Sequence, residues 1–262
     1  MELEFFKYHG TGNDFILFDN RQLILQKSDE DFLNKICDRH FGIGADGVIL
    51  IQNHSITDFE MIYFNSNGRE GSMCGNGGRC AVAFAKALGM IKSKTTKFQA
   101  IDGEHSAEFQ NEMISLKMND VIGIEKIDEM YFVNTGSPHL VWFREKIDQI
   151  NIVEEGRKIR YNHRFKSEGV NINFVEQTEQ GIYMRTYERG VEDETLSCGT
   201  GTVAVAIICM TTANDSLDKR TISVLALGGN LQVSLQRVSE NSFTDIHLIG
   251  PAEMVFQGKW NK

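Results

Sequence analysis

The chain has 262 residues, long enough for two ordinary domains, and its 41% hydrophobic and 24% charged residues are those of a globular protein. Its 27 Lys and Arg against 36 Asp and Glu leave a net charge of −9, which argues against a nucleic-acid-binding surface. Nothing approaches the roughly 18 consecutive apolar residues of a membrane span, the acidic start MELEFFKYHG is unlike a signal peptide, and five cysteines without a CxxC pair fit neither a disulfide framework nor a zinc site, so a soluble cytoplasmic protein is expected.

In chain order, residues 14–18 form a short run rich in β-branched and aromatic residues and read as a strand. Ser28-Asp29-Glu30-Asp31 then opens a helix to about Arg39, with the serine as cap and acids in the first turn. Residues 48–51 and 59–64, rich in β-branched and aromatic side chains, are again strands. After Cys74 the run GGRCAVAFAKALG is small or apolar on every side, which predicts a buried helix with Gly89 at its C-cap. GTVAVAIICMTTA behaves the same way after Cys198, and residues 222–227 read as a further strand.

The two helices belong to a repeat. Cys74-Gly75-Asn76-Gly77 recurs as Cys198-Gly199-Thr200-Gly201, and 198 − 74 = 124. Thr11-Gly12-Asn13 recurs as Thr135-Gly136-Ser137, and Tyr63 lies against Tyr187, both at the same offset of 124. One spacing shared by three matches implies a duplicated unit. The expected domains are residues 1–122, rejoined by a tail strand from 249–262, and residues 123–248. The expected fold is α+β: two pseudo-symmetric halves, each a mainly antiparallel sheet wrapped around a central buried helix.

Two glycine runs match nucleotide-binding patterns and fail on context. Gly42-Ile43-Gly44-Ala45-Asp46-Gly47 fits GxGxxG but follows a helix and precedes a strand, the reverse of the dinucleotide fingerprint. Gly199-Thr200-Gly201-Thr202-Val203-Ala204 has the right order, but the next strand ends in glycines instead of the acid that holds a ribose. What remains is a glycine turn at a helix N-terminus, whose free amides and dipole favour a small anion.

The cysteines sort by position. Cys37, Cys80 and Cys209 lie inside predicted helices and read as small inert hydrophobes. Cys74 and Cys198 stand at the anion-binding ends of their helices, where a thiol pKa of about 8.5 can fall to roughly 3.5–7.5. Two such sulfurs on opposite faces of one carbon, one a thiolate and the other a thiol, would invert a stereocentre.

The runs HGTGNDF (His9 to Phe15), Cys74-Gly75-Asn76-Gly77-Gly78-Arg79-Cys80, and Glu188-Arg189-Gly190 followed by Cys198-Gly199-Thr200-Gly201 resemble the diaminopimelate epimerase family, in order and across nearly the whole chain. The resemblance implies interconversion of LL- and meso-2,6-diaminopimelate without pyridoxal phosphate or metal, two similar domains with the active site between them, and a homodimer. It makes Cys74 and Cys198 the acid/base pair. The backbone of Gly75, Asn76, Gly199 and Thr200 would hold the carboxylate beside the reacting carbon, where charge develops. Asn13, Asn65, Asn171 and Arg189 would bind the distal amino acid end, Arg189 through its bidentate fork. His139 and Glu188 would tune the cysteines, and Glu188 would also accept from a substrate ammonium. The chain departs from the family at Ser137, where many members carry Asn, and at Gly47, where some carry Gln.

Two other readings compete. A proline or hydroxyproline racemase of the same fold would give Arg189 and the asparagines no second amino acid end to hold. A non-catalytic thiol sensor or amino-acid-binding protein would also use exposed, low-pKa cysteines, but would not exchange a substrate α-proton.

Overall fold

Four consecutive apolar residues, Val48-Ile49-Leu50-Ile51, are all fully buried, and a strand buried on both faces needs a layer on each side. A computed structural model of the chain, describing residues 1–179, 181–213 and 218–262, shows what those layers are. It divides into two units, Met1–Leu116 with Gly250–Lys262, and Lys117–Ile249.

The first unit contains β1 (Glu2–Gly10), β2 (Asn13–Asp19), α1 (Glu30–Cys37), β3 (Gly47–Gln52), β4 (Phe59–Asn65), α2 (Gly75–Ala87), β5 (Thr95–Ala100), β6 (Gly103–Gln110) and β7 (Met113–Lys117), which ends at the boundary. β1 pairs antiparallel with β2 on one side and with the C-terminal strand Glu253–Asn261 on the other. β3–β4, β5–β6 and β6–β7 are also antiparallel. β2–β3 and β4–β5 are parallel. A parallel neighbour cannot be reached by a hairpin, and the two crossovers are the segments that carry α1 and α2.

Those helices cover opposite faces. Leu33, Ile36 and Cys37 of α1 join Ile16, Phe18, Val48, Leu50, Ile62 and Phe64 in one core cluster. The alternate residues face α2: a Cβ placed on Gly77 would sit 3.4 Å from Ile49 Cδ1 and 3.5 Å from Met61 Cε. Nearly every residue of α2 from Gly75 to Ala85 is buried.

The second unit repeats the plan with β8 (Val121–Ile122), β9 (Ile124–Ile127), β10 (Met130–Asn134), β11 (Pro138–Phe143), α3 (Ile152–Arg160), β12 (Asn171–Thr178), β13 (Gly181–Glu188), β14 (Asp193–Thr195), α4 (Gly199–Thr212), β15 (Lys219–Ala226), β16 (Gly229–Ser239) and β17 (Ser242–Gly250). Here β11–β12 and β13–β15 are the parallel pairs, and β9–β10–β11 and β15–β16–β17 are antiparallel runs. The offset of 124 holds element by element, since 47 + 124 = 171 starts β12 and 75 + 124 = 199 starts α4. Leu140, Ile152, Ile172, Phe174 and Tyr187 form the cluster on the α3 side. From Gly201 to Met210 every residue of α4 is buried.

The two similar α+β halves with a buried central helix are as expected. The parallel crossovers and α3, the outer helix of the second unit, are additions; α1, its counterpart in the first unit, is the helix expected after Ser28. The first helix differs in its ends. It begins at Glu30 after Asp29, not at a Ser28 cap, because the Asp29 carboxylate accepts from the Gln26 N–H at 2.9 Å and pairs with Lys262 at 2.7 Å. It stops at Cys37, because the Asp38 carboxylate turns the chain by accepting from the His40 and Phe41 N–H groups at 2.7 and 2.8 Å.

Candidate active site

In the first unit Cys74 is the N-cap of α2, and its Sγ accepts from the Gly77 N–H at 3.2 Å. The helical ladder begins with the Gly78 N–H to the Cys74 carbonyl, so the amides of Gly75 and Asn76 precede it. The Asn76 side chain donates through Nδ2 to Asn13 Oδ1 at 3.2 Å, and Asn13 Nδ2 in turn donates to Asp46 Oδ2 at 2.7 Å. This ties the β1–β2 turn, where Thr11 and Gly12 have φ of 56° and 85°, to the first turn of the helix. Asp14 braces the same corner through Lys7 and Arg39, 2.6 and 2.7 Å away. Burial raises the Asp14 carboxyl, but these two cations outweigh it and hold it below the usual carboxylate range.

Arg79, within the Cys74 motif, is the fully buried centre of this arrangement, and its part in it is visible only in the structure. It donates to Thr11 Oγ1 at 2.9 Å, Asn76 Oδ1 at 3.1 Å and the Gly75 carbonyl at 3.3 Å, and through Nε to the Pro251 carbonyl at 3.2 Å. Burial lowers its pKa to about 10, so it remains a cation at neutral pH beside Cys74. Asn65 lies at the exposed end of β4, where Tyr63 Oη donates to its Oδ1 at 3.1 Å. A Cβ on Gly47 would stand 2.5 Å from the Phe64 carbonyl oxygen and 2.6 Å from Tyr63 Cε2. The Tyr63 ring fills the space that a side chain at position 47 would need.

In the second unit Cys198 is the N-cap of α4 and 7% exposed. The ladder starts with the Thr202 N–H to the Cys198 carbonyl, leaving the amides of Gly199 and Thr200 ahead of it. Cys198 Sγ lies 3.6 Å from Thr200 Oγ1, which lies 2.9 Å from His139 Nε2. His139 is fully buried. Burial, with the Arg189 cation adding to it, pushes the imidazole down to about 3, so it is neutral at physiological pH. His139 therefore reaches Cys198 through the threonine hydroxyl.

Asn171, Ser137 and Arg189 come together in the same unit. Asn171 Nδ2 donates to Ser137 Oγ at 2.9 Å, its Oδ1 accepts from the Arg189 N–H at 2.8 Å, and Arg189 Nη2 donates to Ser137 Oγ at 3.3 Å. Gly169, at φ +76°, keeps this corner open, since a Cβ there would be 2.6 Å from Arg189 Cδ. Glu188 Oε2 accepts from Thr195 Oγ1 at 2.8 Å.

The remaining thiols are buried, and burial pushes Cys37 up to about 12, Cys209 to about 11 and Cys80 further. Thiolates are out of reach there at neutral pH, in keeping with a packing role. Among the described residues no three His, Cys, Asp or Glu side chains gather as metal ligands, and no helix is long and apolar enough to cross a membrane.

The diaminopimelate epimerase family model matches residues 5–122 and 131–255. A diaminopimelate epimerase of Flavobacterium psychrophilum is 52% identical, over 97% of this chain and 99% of that protein. Another, of Aquifex aeolicus, is 37% identical, over 98% and 97%. Among solved structures, a Bacillus anthracis phenazine biosynthesis protein of the PhzF family superposes with a TM-score of 0.81 at 14% identity, covering both chains entirely. A hydroxyproline epimerase from Agrobacterium vitis superposes with a TM-score of 0.70 at 12% identity, covering 98% of this chain and 92% of that one. At these identities the two superpositions speak for the fold alone.

Proposed function

The chain belongs to the diaminopimelate epimerase family, and on that premise we propose that it interconverts LL- and meso-2,6-diaminopimelate, in the synthesis of lysine and peptidoglycan precursors, with Cys74 and Cys198 as its acid/base pair. The observation that carries the mechanism is the repeated geometry: the two helices at equivalent places in the repeat are each N-capped by a cysteine, with two backbone amides ahead of the helical ladder.

The thiolate of one cysteine takes the α-proton, forming an S–H bond as the C–H bond breaks. The electron pair passes into the adjacent carboxylate, whose developing charge the amides of Gly75, Asn76, Gly199 and Thr200 stabilise. The other cysteine, a thiol, gives its proton to the opposite face of the carbon and is left as the thiolate. The reverse reaction uses the same pair with roles exchanged. This requires both sulfurs to reach one carbon from opposite sides. No external electron acceptor is needed, because no net oxidation occurs.

The distal amino acid end falls to Arg189 and Asn171, joined through Ser137, together with Asn13 and Asn65, while Glu188 and His139 tune the cysteines and Glu188 also accepts from a substrate ammonium. The Ser137–Asn171–Arg189 corner supports a substrate with a second charged end, which proline lacks. In this reading the protein works in the cytoplasm as a homodimer. Proton NMR in D2O with reduced protein tests the substrate assignment. LL-Diaminopimelate should lose its α-proton signal as the meso isomer appears, while L-proline is unchanged. Exchange on proline with none on diaminopimelate would move the chain to a different substrate class.

A further inference from the structure

The second unit contains a buried polar line that the first unit lacks. Asn173, fully buried on β12, places Nδ2 2.9 Å from the Leu140 carbonyl oxygen and 3.1 Å from His139 Nδ1. A carbonyl oxygen accepts and never donates, so the Asn173 atom beside it is the amide nitrogen. The other end of the amide agrees, with Oδ1 accepting from Thr186 Oγ1 at 3.0 Å. An N–H donor facing His139 Nδ1 makes that nitrogen the acceptor, and the proton of the neutral ring then sits on Nε2. Nε2 points at Thr200 Oγ1, 2.9 Å away, and the threonine hydroxyl is left to point its own hydrogen at Cys198 Sγ, 3.6 Å further on. Asn171 Nδ2 also approaches Nε2, at 3.5 Å, but its two protons are spent on Ser137 Oγ and the Pro138 carbonyl at 2.9 and 3.0 Å.

We propose that Asn173 is a positioning residue that locks His139 in its Nε2–H form, so that the Thr200 hydroxyl is held as a hydrogen-bond donor to the sulfur of Cys198. The assignment rests on the reading of Cys198 as an acid/base group and adds two side-chain roles to it. No proton crosses the line; its effect is to favour the thiolate of Cys198 by a hydrogen bond made to the charged form.

The repeat argues that this line is not a requirement of the fold. Subtracting 124 from 139 and 173 gives 15 and 49, and the first unit has Phe15 and Ile49 there, both fully buried. The same architecture is thus built with apolar side chains at both places. Buried polar groups are costly unless fully satisfied, and here each finds its partner. The helix accommodates the amide by having glycine at 201, where a Cβ would lie 2.5 Å from Asn173 Oδ1. The charged groups on the neighbouring strands have partners of their own: Glu188 binds Thr195, Glu194 binds Arg185, and Arg189 binds Ser137 and the Glu168 carbonyl. Of these, Arg189 acts on His139 by charge.

Two readouts test the proposal without substrate, so they are independent of whether diaminopimelate is turned over. The first is 15N NMR of the His139 ring in the unaltered protein, which should show Nε2 protonated and Nδ1 bare. The second is the pH profile of Cys198 alkylation by iodoacetamide, followed by peptide mapping. Thr200→Val should slow alkylation about tenfold near neutral pH by raising the thiol pKa about one unit, and Thr200→Ser should restore it. Asn173→Ile, which installs the residue of the other half, should shift the profile in the same direction and add little to Thr200→Val. A proton on Nδ1 in the unaltered protein, or an unchanged profile in folded Thr200→Val, overturns the proposal. Should Asn173→Ile fail to fold, the NMR measurement and the threonine pair still decide it.

Discussion

A fully buried imidazole is favoured only while it is neutral. The folded pKa of His139, about 3, lies below the ordinary value of about 6.5, which fixes the sign of its contribution. Above that ordinary value neither folded nor unfolded chain binds the proton. As pH falls below it the unfolded chain takes up a proton that the folded chain refuses, and stability falls until the folded pKa is reached. Replacing His139 with Gln should therefore remove about one proton from the pH dependence, or about 1.4 kcal/mol per pH unit between pH 6 and 4. Urea unfolding of both proteins at several pH values across that range measures it, and parallel stability curves would show that His139 is not the titrating group. At this scale the sequence was partly legible. Cys74 and Cys198 stand out by their places at the heads of the two repeated helices, whereas His139 is singled out only by the resemblance. Asn173 and Arg79 did not stand out, because what they do depends on partners distant in sequence: Leu140 and Thr186 for one, Thr11 and Pro251 for the other.

Among the elements, the two central helices were the easiest to read, since an apolar surface all round has one explanation in a globular protein. The offset of 124 then carried the strands of one half onto the other. Strand direction was less legible. Runs such as Val48-Ile49-Leu50-Ile51 show that both faces are buried, but not which neighbour a strand chooses, and the parallel β2–β3 and β11–β12 pairs follow from crossovers through α1 and α3. The ends of α1 escaped as well, because the competing bonds of Asp29 and Asp38 to the backbone involve turn geometry outside the helix pattern. The C-terminal strand brings the proposed dimer down to single residues. It pairs with β1, and its ladder slips at Val255, leaving Met254, Val255 and Phe256 about half exposed. An exposed apolar edge strand invites a partner. Sedimentation of the unaltered protein at micromolar concentration should give a dimer, and Val255→Glu, outside the ladder register, should shift it towards monomer. A monomeric unaltered protein would contradict the dimer.

Across the whole molecule, duplication supplies two copies of one device, a cysteine at the head of a buried helix, and divergence furnishes the copies differently. Cys74 has the buried Arg79 cation and the Gly77 amide near it. Cys198 has a neutral histidine acting through a threonine. Two sulfurs in unlike surroundings are what a two-base reaction needs, one resting as thiolate and the other as thiol, in either assignment. The most direct test follows the isotope during the first turnovers of LL-diaminopimelate in D2O. With separate bases the proton removed stays on one sulfur while the other delivers a solvent deuteron. Early meso product should then carry deuterium at the inverted carbon while the remaining LL substrate keeps its protium. Product that retains the substrate's own hydrogen, or deuterium appearing equally in recovered substrate and product from the outset, would contradict the two-cysteine mechanism.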